Sequence, residues 1–220
     1  MGAMGLRETK KRQTRTAIAD AALGLFLERG FDRVTVAEVA RQAGVSTNTV
    51  FNYFPAKEDL FFDRQEEVEG RLAALVRDRA PGACPVAVVR DDLLEALRRD
   101  DPMLGLQSGA AAFWEVVLES PALRAREREI GEHVEAALAR ALTERPVGAP
   151  YREGATAAAV LAGAVAGVHR AALGELRRMV MAGEAPGRAR DEVLGVARQG
   201  FDLLCTGLHG EGDPASHGHG

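Results

Sequence analysis

The stretch from Thr35 to Lys57, TVAEVARQAGVSTNTVFNYFPAK, constrains this chain more than any other. Val36, Val39, Ala40 and Ala43 recur at i, i+3, i+4 and i+7, which places them on one face of a helix. Thr35, followed three residues later by Glu38, has the form of a capping box and starts that helix. Gly44 comes just after the last apolar position, where a helix end favours a residue tolerant of left-handed dihedrals. Ser46 is a good N-cap for a second short helix, Thr47 to about Tyr53. Pro55 prevents that helix from running on. Two short helices joined across a glycine-containing turn make a helix-turn-helix.

The second helix carries Val50 and Phe54 as inward residues. Thr47, Asn48, Thr49, Asn52 and Tyr53 are polar or amphipathic and uncharged. An asparagine can donate to and accept from a base edge. A threonine offers a hydroxyl and a methyl, and a tyrosine can reach a phosphate. An ordinary solvated helix has the same composition, so these residues alone leave both readings open.

The run AALGLFLERGFDRVTVAEVARQAGVSTNTVFNYFPAKEDLF resembles the DNA-binding domain of the TetR family of bacterial transcriptional regulators. Phe26 to Phe31 match the family's F-x-x-x-G-(Y/F) phrase. Thr35 to Ser46 match its threonine-led first helix and turn, and Lys57 to Leu60 its closing Lys-Glu-x-Leu. The resemblance covers roughly Thr14 to Phe61. Phe51 departs from it, standing where the family often has tyrosine, so a phosphate contact through that hydroxyl is missing; Tyr53 is the alternative donor.

The resemblance implies an all-α fold with a three-helix DNA-binding domain, expected at residues 1–57. A larger helical ligand-binding and dimerisation domain is expected at 58–208, with a disordered tail at 209–220. It also implies a homodimer through the last two helices, forming a four-helix bundle. Such a dimer would sit on a near-palindromic double-stranded DNA operator and be released by a small-molecule effector of unknown identity. The expected DNA-binding residues are Lys10, Lys11, Arg12, Arg15, Thr35, Ser46, Thr47, Asn48, Asn52, Tyr53 and Lys57. Thr47, Asn48 and Asn52 would face base edges. Thr35, Thr47, Tyr53, Lys57 and the basic residues before the first helix would face phosphates. Those basic residues read equally as a frayed, soluble terminus.

The formal net charge of −4 looks wrong for a DNA-binding protein, but it is unevenly spread. Residues 1–60 hold nine Lys or Arg against seven acids, a net +2, and the remainder carries −6. A locally basic end on an acidic body suits phosphate binding at that end. Strand signals are weak. No apolar run approaches a membrane span of about 20 residues, and no apolar leader is visible, so the expectation is a cytoplasmic protein with no membrane contact. Cys84 and Cys205 do not make a disulfide framework and read as small apolar residues.

Beyond Pro55 a long helix is expected from near Ala56 to about Arg79, crossing from one domain into the next. A break at APGACP precedes a helix at 86–99. Further helices are expected from a Ser108 cap to Glu119, from Ser120-Pro121 to about Glu144, from Arg152 to Met181 and from Arg188 to Leu208. Gly163 and Gly167, four apart in the penultimate helix, would each cost about 1 kcal/mol against alanine. Close approach of another helix could offset that. Met103, Leu106, Phe113, Trp114 and Val117 are candidate walls of an effector pocket, with His133 or His169 as a polar anchor. The aromatic pair reads equally as core. His209, His217 and His219 in the tail are weak metal ligands, and neither a metal nor a cofactor is expected.

No phosphate-binding loop, nucleophile elbow, His-Glu-x-x-His or Cys-x-x-Cys occurs. The expected function is a non-enzymatic transcriptional regulator. The alternative is a small-molecule-binding or enzymatic protein that keeps the helix-turn-helix only as scaffold.

Overall fold

The computed structural model describes residues 2–107, 109–146 and 154–209. The expected Ser108 cap, the start of a helix at Arg152 and most of the tail, including His217 and His219, lie outside these residues. All regular elements among the described residues are helical. Two compact units are formed, one from residues 1–66 and 112–129 and the other from 67–111 and 130–220. This division differs from the expected break at residue 57. Residues 58–66 and a later segment, 112–129, join the N-terminal unit.

The first unit is built on α1 (Gly2–Arg29), α2 (Val36–Gln42), α3 (Thr47–Tyr53) and α4 (Lys57–Phe61). Ile18, Ala22 and Phe26 on α1 are completely buried, as their helical spacing requires. Gly30 ends α1 at φ +81°, a conformation that glycine adopts without a Cβ clash. The core continues through Phe31, Val34, Val39, Val50, Phe54, Leu60 and Phe61. Residues 112–129 bring Val116, Val117 and Leu123 into the same cluster. Two polar links fasten that segment. The Ser120 hydroxyl donates to Asp32 Oδ1 at 2.9 Å. Arg126 donates to Asp59 Oδ1 at 2.5 Å and to Gln65 Oε1 at 3.1 Å.

The expected long helix from Ala56 to Arg79 is broken. α4 ends at Phe61, and α5 (Gln65–Asp78) begins after a bend at residues 62–64. Phe62 leaves helical dihedrals at φ −100°, ψ 53°, and the Asp63 carbonyl accepts from Arg15 at 2.7 Å instead of from a helical N–H. Tertiary bonding overrides local propensity here.

The second unit contains the rest of α5, α6 (Pro85–Arg98), a 3₁₀ turn at Pro102–Leu104, the latter part of α8 (Pro121–Glu144), α9 (Ala155–Met181) and α10 (Pro186–His209). α7 (Ala110–Glu119) lies mostly in the first unit. α10 packs along α9 and α6. Val86, Val89, Leu93, Leu97, Leu161, Ala162, Val165, Leu176, Val193, Ala197 and Phe201 supply the centre of the core. Leu194 and Leu204 of α10 sit at its rim. His209, expected in the tail, is the last residue of α10.

α9 corrects the reading that no apolar run is long enough for a membrane. Its 27 residues include a window of mean hydropathy 1.4, long and apolar enough to cross a bilayer. In this fold, Ala158, Leu161, Ala162, Val165, Ala166, Ala172, Leu176 and Met179 bury one face of it.

The close helix approach expected at Gly163 and Gly167 occurs elsewhere. A Cβ at Gly167 would meet nothing within 4 Å, and one at Gly163 would meet only the flexible Glu135 carboxylate at 3.1 Å. A Cβ on Gly200 of α10 would fall 2.8 Å from Val168 Cγ1 on α9. Gly200→Ala is therefore expected to destabilise the protein. Overpacking costs about 1–3 kcal/mol and the gain in helix propensity returns about 1 kcal/mol. A urea midpoint equal to that of the wild type would show that the two helices separate freely at this contact.

Candidate nucleic-acid interface

The reading unit is assembled by its caps. The Thr35 hydroxyl accepts from Glu38 N at 3.3 Å and donates to Glu38 Oε2 at 2.8 Å, while Thr35 N donates to the same oxygen at 2.8 Å. These bonds hold the Glu38 carboxyl below its usual range. Arg29 adds an ion pair to Glu38 at 3.0 Å. Gly44 turns the chain at φ +68°, which a β-carbon would strain. Ser46 then caps α3, its Oγ accepting from Thr49 N at 3.0 Å. The Thr35 and Ser46 side chains thus position the helices through bonds of their own.

Val50 and Phe54 face inward and are fully buried, as expected. Thr47, Asn48, Phe51 and Asn52 are exposed. They fall at i, i+1, i+4 and i+5 and so share the outer face of α3. Phe51 is 47% exposed. It was absent from the expected contacts because it lacks the hydroxyl of the tyrosine that the family often has there. The signal was its register: with Val50 and Phe54 inward, position 51 must face out beside Asn48 and Asn52. An exposed phenyl ring there can meet a thymine methyl group.

Tyr53, half-buried, joins Glu8, Lys10, Lys11 and Thr14 in lining a cleft of about 400 Å³ beside the end of α3. Lys10, Lys11 and Arg12 are exposed, and they stand on α1, not on a flexible arm. The segment contains no proline, and Glu8 precedes Arg12 by four residues, a pairing that favours helix. The arm is thus a helical ridge.

Two further cations turn inward. Arg15 donates to Tyr53 O at 3.1 Å and Asp63 O at 2.7 Å, with its guanidinium 4.3 Å from the Phe54 ring centre. It braces the end of α3 against α1. Lys57 donates to Phe31 O at 2.6 Å, and its ammonium lies 4.2 Å from the Phe31 ring centre. Burial lowers its proton affinity. Both were expected at phosphates, and both have protein partners that a DNA backbone would have to replace.

The expected effector residues are not gathered in one place. Val117 belongs to the core of the first unit, and Phe113 and Trp114, half-buried, pack against that core. Phe113 stacks on Phe61 at 4.4 Å and meets Trp114 edge-on at 5.2 Å. Their size and apolar character suit a pocket wall and a core equally, and the topology assigns them to the core. His133 is exposed and pairs with Glu69 at 3.0 Å. In the second unit Leu106 is buried in the core, and Met103 N donates to the capping Asp101 Oδ1 at 2.9 Å. Arg71 pairs with Asp92 at 2.9 Å and lies 3.9 Å from Asp101. His169 lies in the field of Arg71 and Asp92, and burial followed by Arg71 lowers its pKa to about 4. Met103 and His169 thus flank a charged cluster that the sequence did not single out. No group of three metal-ligating side chains occurs among the described residues.

Residues 18–63, which span the buried part of α1 through α4, match the model of bacterial regulatory proteins of the tetR family. Residues 18–63 thus carry a tetR-family N-terminal domain. The chain is 28% identical over 144 residues to the HTH-type transcriptional regulator TcmR of Streptomyces glaucescens, covering 64% of each protein. It is 33% identical over 96 residues to the HTH-type transcriptional regulator AcrR of Shigella flexneri, covering 41% of this chain and 44% of that one. The chain thus spans less than two thirds of the length of these curated relatives. A solved structure of Thermus thermophilus FadR, a TetR-family transcriptional repressor in complex with lauroyl-CoA, aligns with a TM-score of 0.50 at 27% identity. That alignment covers 93% of this chain and 100% of FadR.

Proposed function

We propose that this TetR-family protein is a homodimeric, sequence-specific repressor that a small molecule releases from its operator. The observation that carries the reading is the outer face of α3. Thr47, Asn48, Phe51 and Asn52 are presented together on a helix whose two ends are held by a cap and by the Arg15 brace. Two such helices, related by a twofold axis, read successive major grooves of a near-palindromic site about 34–36 Å apart. Lys10, Lys11 and Arg12 supply backbone contacts from the ridge of α1. Tyr53 lies beside them at the cleft.

α9 and α10 support the dimer. Val160 on α9 and Leu203 on α10 are 67% and 70% exposed, large apolar side chains on the two helices that would form the shared bundle. The small molecule acts in the second unit, where Met103, Leu106 and His169 remain the candidate contacts around Arg71, Asp92 and Asp101. The lauroyl-CoA held by FadR makes an acyl-bearing ligand the first to test. Release requires that the ligand bind one conformer more tightly than the other. A repressor of this kind works in the cytoplasm.

The test is selection of binding sites from random double-stranded DNA, followed by anisotropy titration at two salt concentrations. Saturable binding to a recurring near-palindrome, weakening as salt rises, is expected. Enrichment of no recurring site would overturn the reading. Asn52→Ala is expected to weaken binding to the selected site by about 1–3 kcal/mol, the usual worth of a good side-chain contact to a base. Unselected DNA should bind as before. Equal loss on both kinds of DNA would make Asn52 a backbone contact.

A further inference from the structure

The two cysteines of the chain are far apart in sequence and adjacent in the second unit. Cys84 is the N-cap of α6, and its side chain makes no cap hydrogen bond. Cys205 lies near the end of α10. Neither is in a disulfide, and both are half-buried. Both pack on the same hydrophobic cluster, where α10 lies against α6. Cys84 is the neighbouring side chain that, after burial, raises the Cys205 thiol. Arg90 of α6 and Asp202 of α10, paired at 2.7 Å, tie the two helices together beside the thiols. Leu203 stands two residues from Cys205, on the opposite side of α10. A subunit contact through Leu203 therefore leaves the thiol facing α6.

We propose that Cys84 and Cys205 are a reversible dithiol–disulfide pair, modified by small-molecule disulfides of the glutathione class, whose closure ties α6 to α10. Cys84 attacks first as the thiolate. Its sulfur bonds to one sulfur of the small disulfide, that S–S bond breaks, and one small thiol departs with a proton. Cys205 then loses its proton and attacks the Cys84 sulfur. The mixed disulfide breaks and the second small thiol departs, also protonated. Two hydrogens and two electrons pass from the protein to the small disulfide, which becomes two thiols. Burial, followed by the neighbouring Cys84, holds the Cys205 thiol up at about 11, which assigns it the second, resolving step.

The test incubates the full-length protein with glutathione disulfide, blocks remaining thiols with iodoacetamide and measures intact mass under denaturing, non-reducing conditions. The wild type is expected to lose the mass of two hydrogens, take up no blocking group and run as a single chain, with dithiothreitol restoring both thiols. Cys84→Ser and Cys205→Ser should each behave differently from the wild type and lose no hydrogen pair. A wild type that keeps a stable glutathione adduct, cross-links to a second chain, or retains two blockable thiols would overturn the proposal.

Discussion

Phe26→Ala is expected to remove about 3–5 kcal/mol of stability, the usual loss for deleting a buried phenyl ring. Phe26 is fully buried at the centre of the first unit. Its ring lies 5.0 Å from Phe31 and 6.0 Å from Phe61. Phe61 in turn stacks on Phe113. A hole at Phe26 therefore touches α1, the α1–α2 turn, α4 and α7 together. The Lys57 ammonium lies 5.8 Å from the Phe26 ring centre and would lose part of the aromatic surface that offsets its burial. Domains of this kind have about 5–15 kcal/mol in all, so the substitution threatens the whole reading unit. The single tryptophan, Trp114, lies in the same cluster, so its fluorescence reports this unit directly. Urea unfolding followed at Trp114 should show the loss, and operator binding should fail at temperatures where the wild type still binds. A loss below about 1 kcal/mol would mean that the cluster collapses around the hole.

The second large effect is acid sensitivity centred on His169. Its pKa falls from 6.5 to about 4, through burial first and then the nearby Arg71, against a smaller opposing effect of Asp92. Between those two values the unfolded chain takes up a proton that the folded chain refuses. Stability contributed by the neutral imidazole is therefore complete above about pH 6.5. It is lost as pH falls towards 4, to a total of about 3 kcal/mol at 1.36 kcal/mol per pH unit. Carboxylates titrate in part of the same range, so the readout is a difference between proteins. His169→Gln should lose less stability than the wild type between pH 7.5 and pH 4.5 in urea titrations. Parallel pH profiles for the two proteins would mean that His169 accepts its proton in the folded state.

Much of the reading unit was legible because its signals are local. A capping box, a left-handed glycine, a serine N-cap and a proline stop each act within one helical turn. Thr35, Gly44 and Ser46 adopt the dihedrals and bonds that their types imply. The inward positions of α2 and α3 followed from 3.6-residue spacing, which needs no partner to be recognised. The TetR resemblance added the family and the outer face of α3, which composition alone left open.

The misreadings share one cause: each depended on which distant segment came to lie alongside. Arg15 and Lys57 read as surface cations until the Tyr53, Asp63 and Phe31 carbonyls were placed beside them. Phe113 and Trp114 suited a pocket wall as well as a core, and only the stacking of Phe113 on Phe61 decided between them. The long helix expected after Pro55 breaks because Arg15, far back in the chain, bonds the Asp63 carbonyl. Gly163 and Gly167 suggested close packing by composition, whereas the tight contact is Gly200 on Val168, a register between two helices that neither sequence segment contains alone.

The sequence by itself therefore determined the helices, their caps and the side chains offered at the outer face of α3, because those are set by neighbours within a few residues. Tertiary structure alone decided which cations turn to protein carbonyls, which aromatics pack together in the first unit, and that Cys84 and Cys205 lie on one cluster. Charge, ring and thiol chemistry depends on what lies within a few ångströms, and in a helical fold those neighbours come from segments tens of residues away.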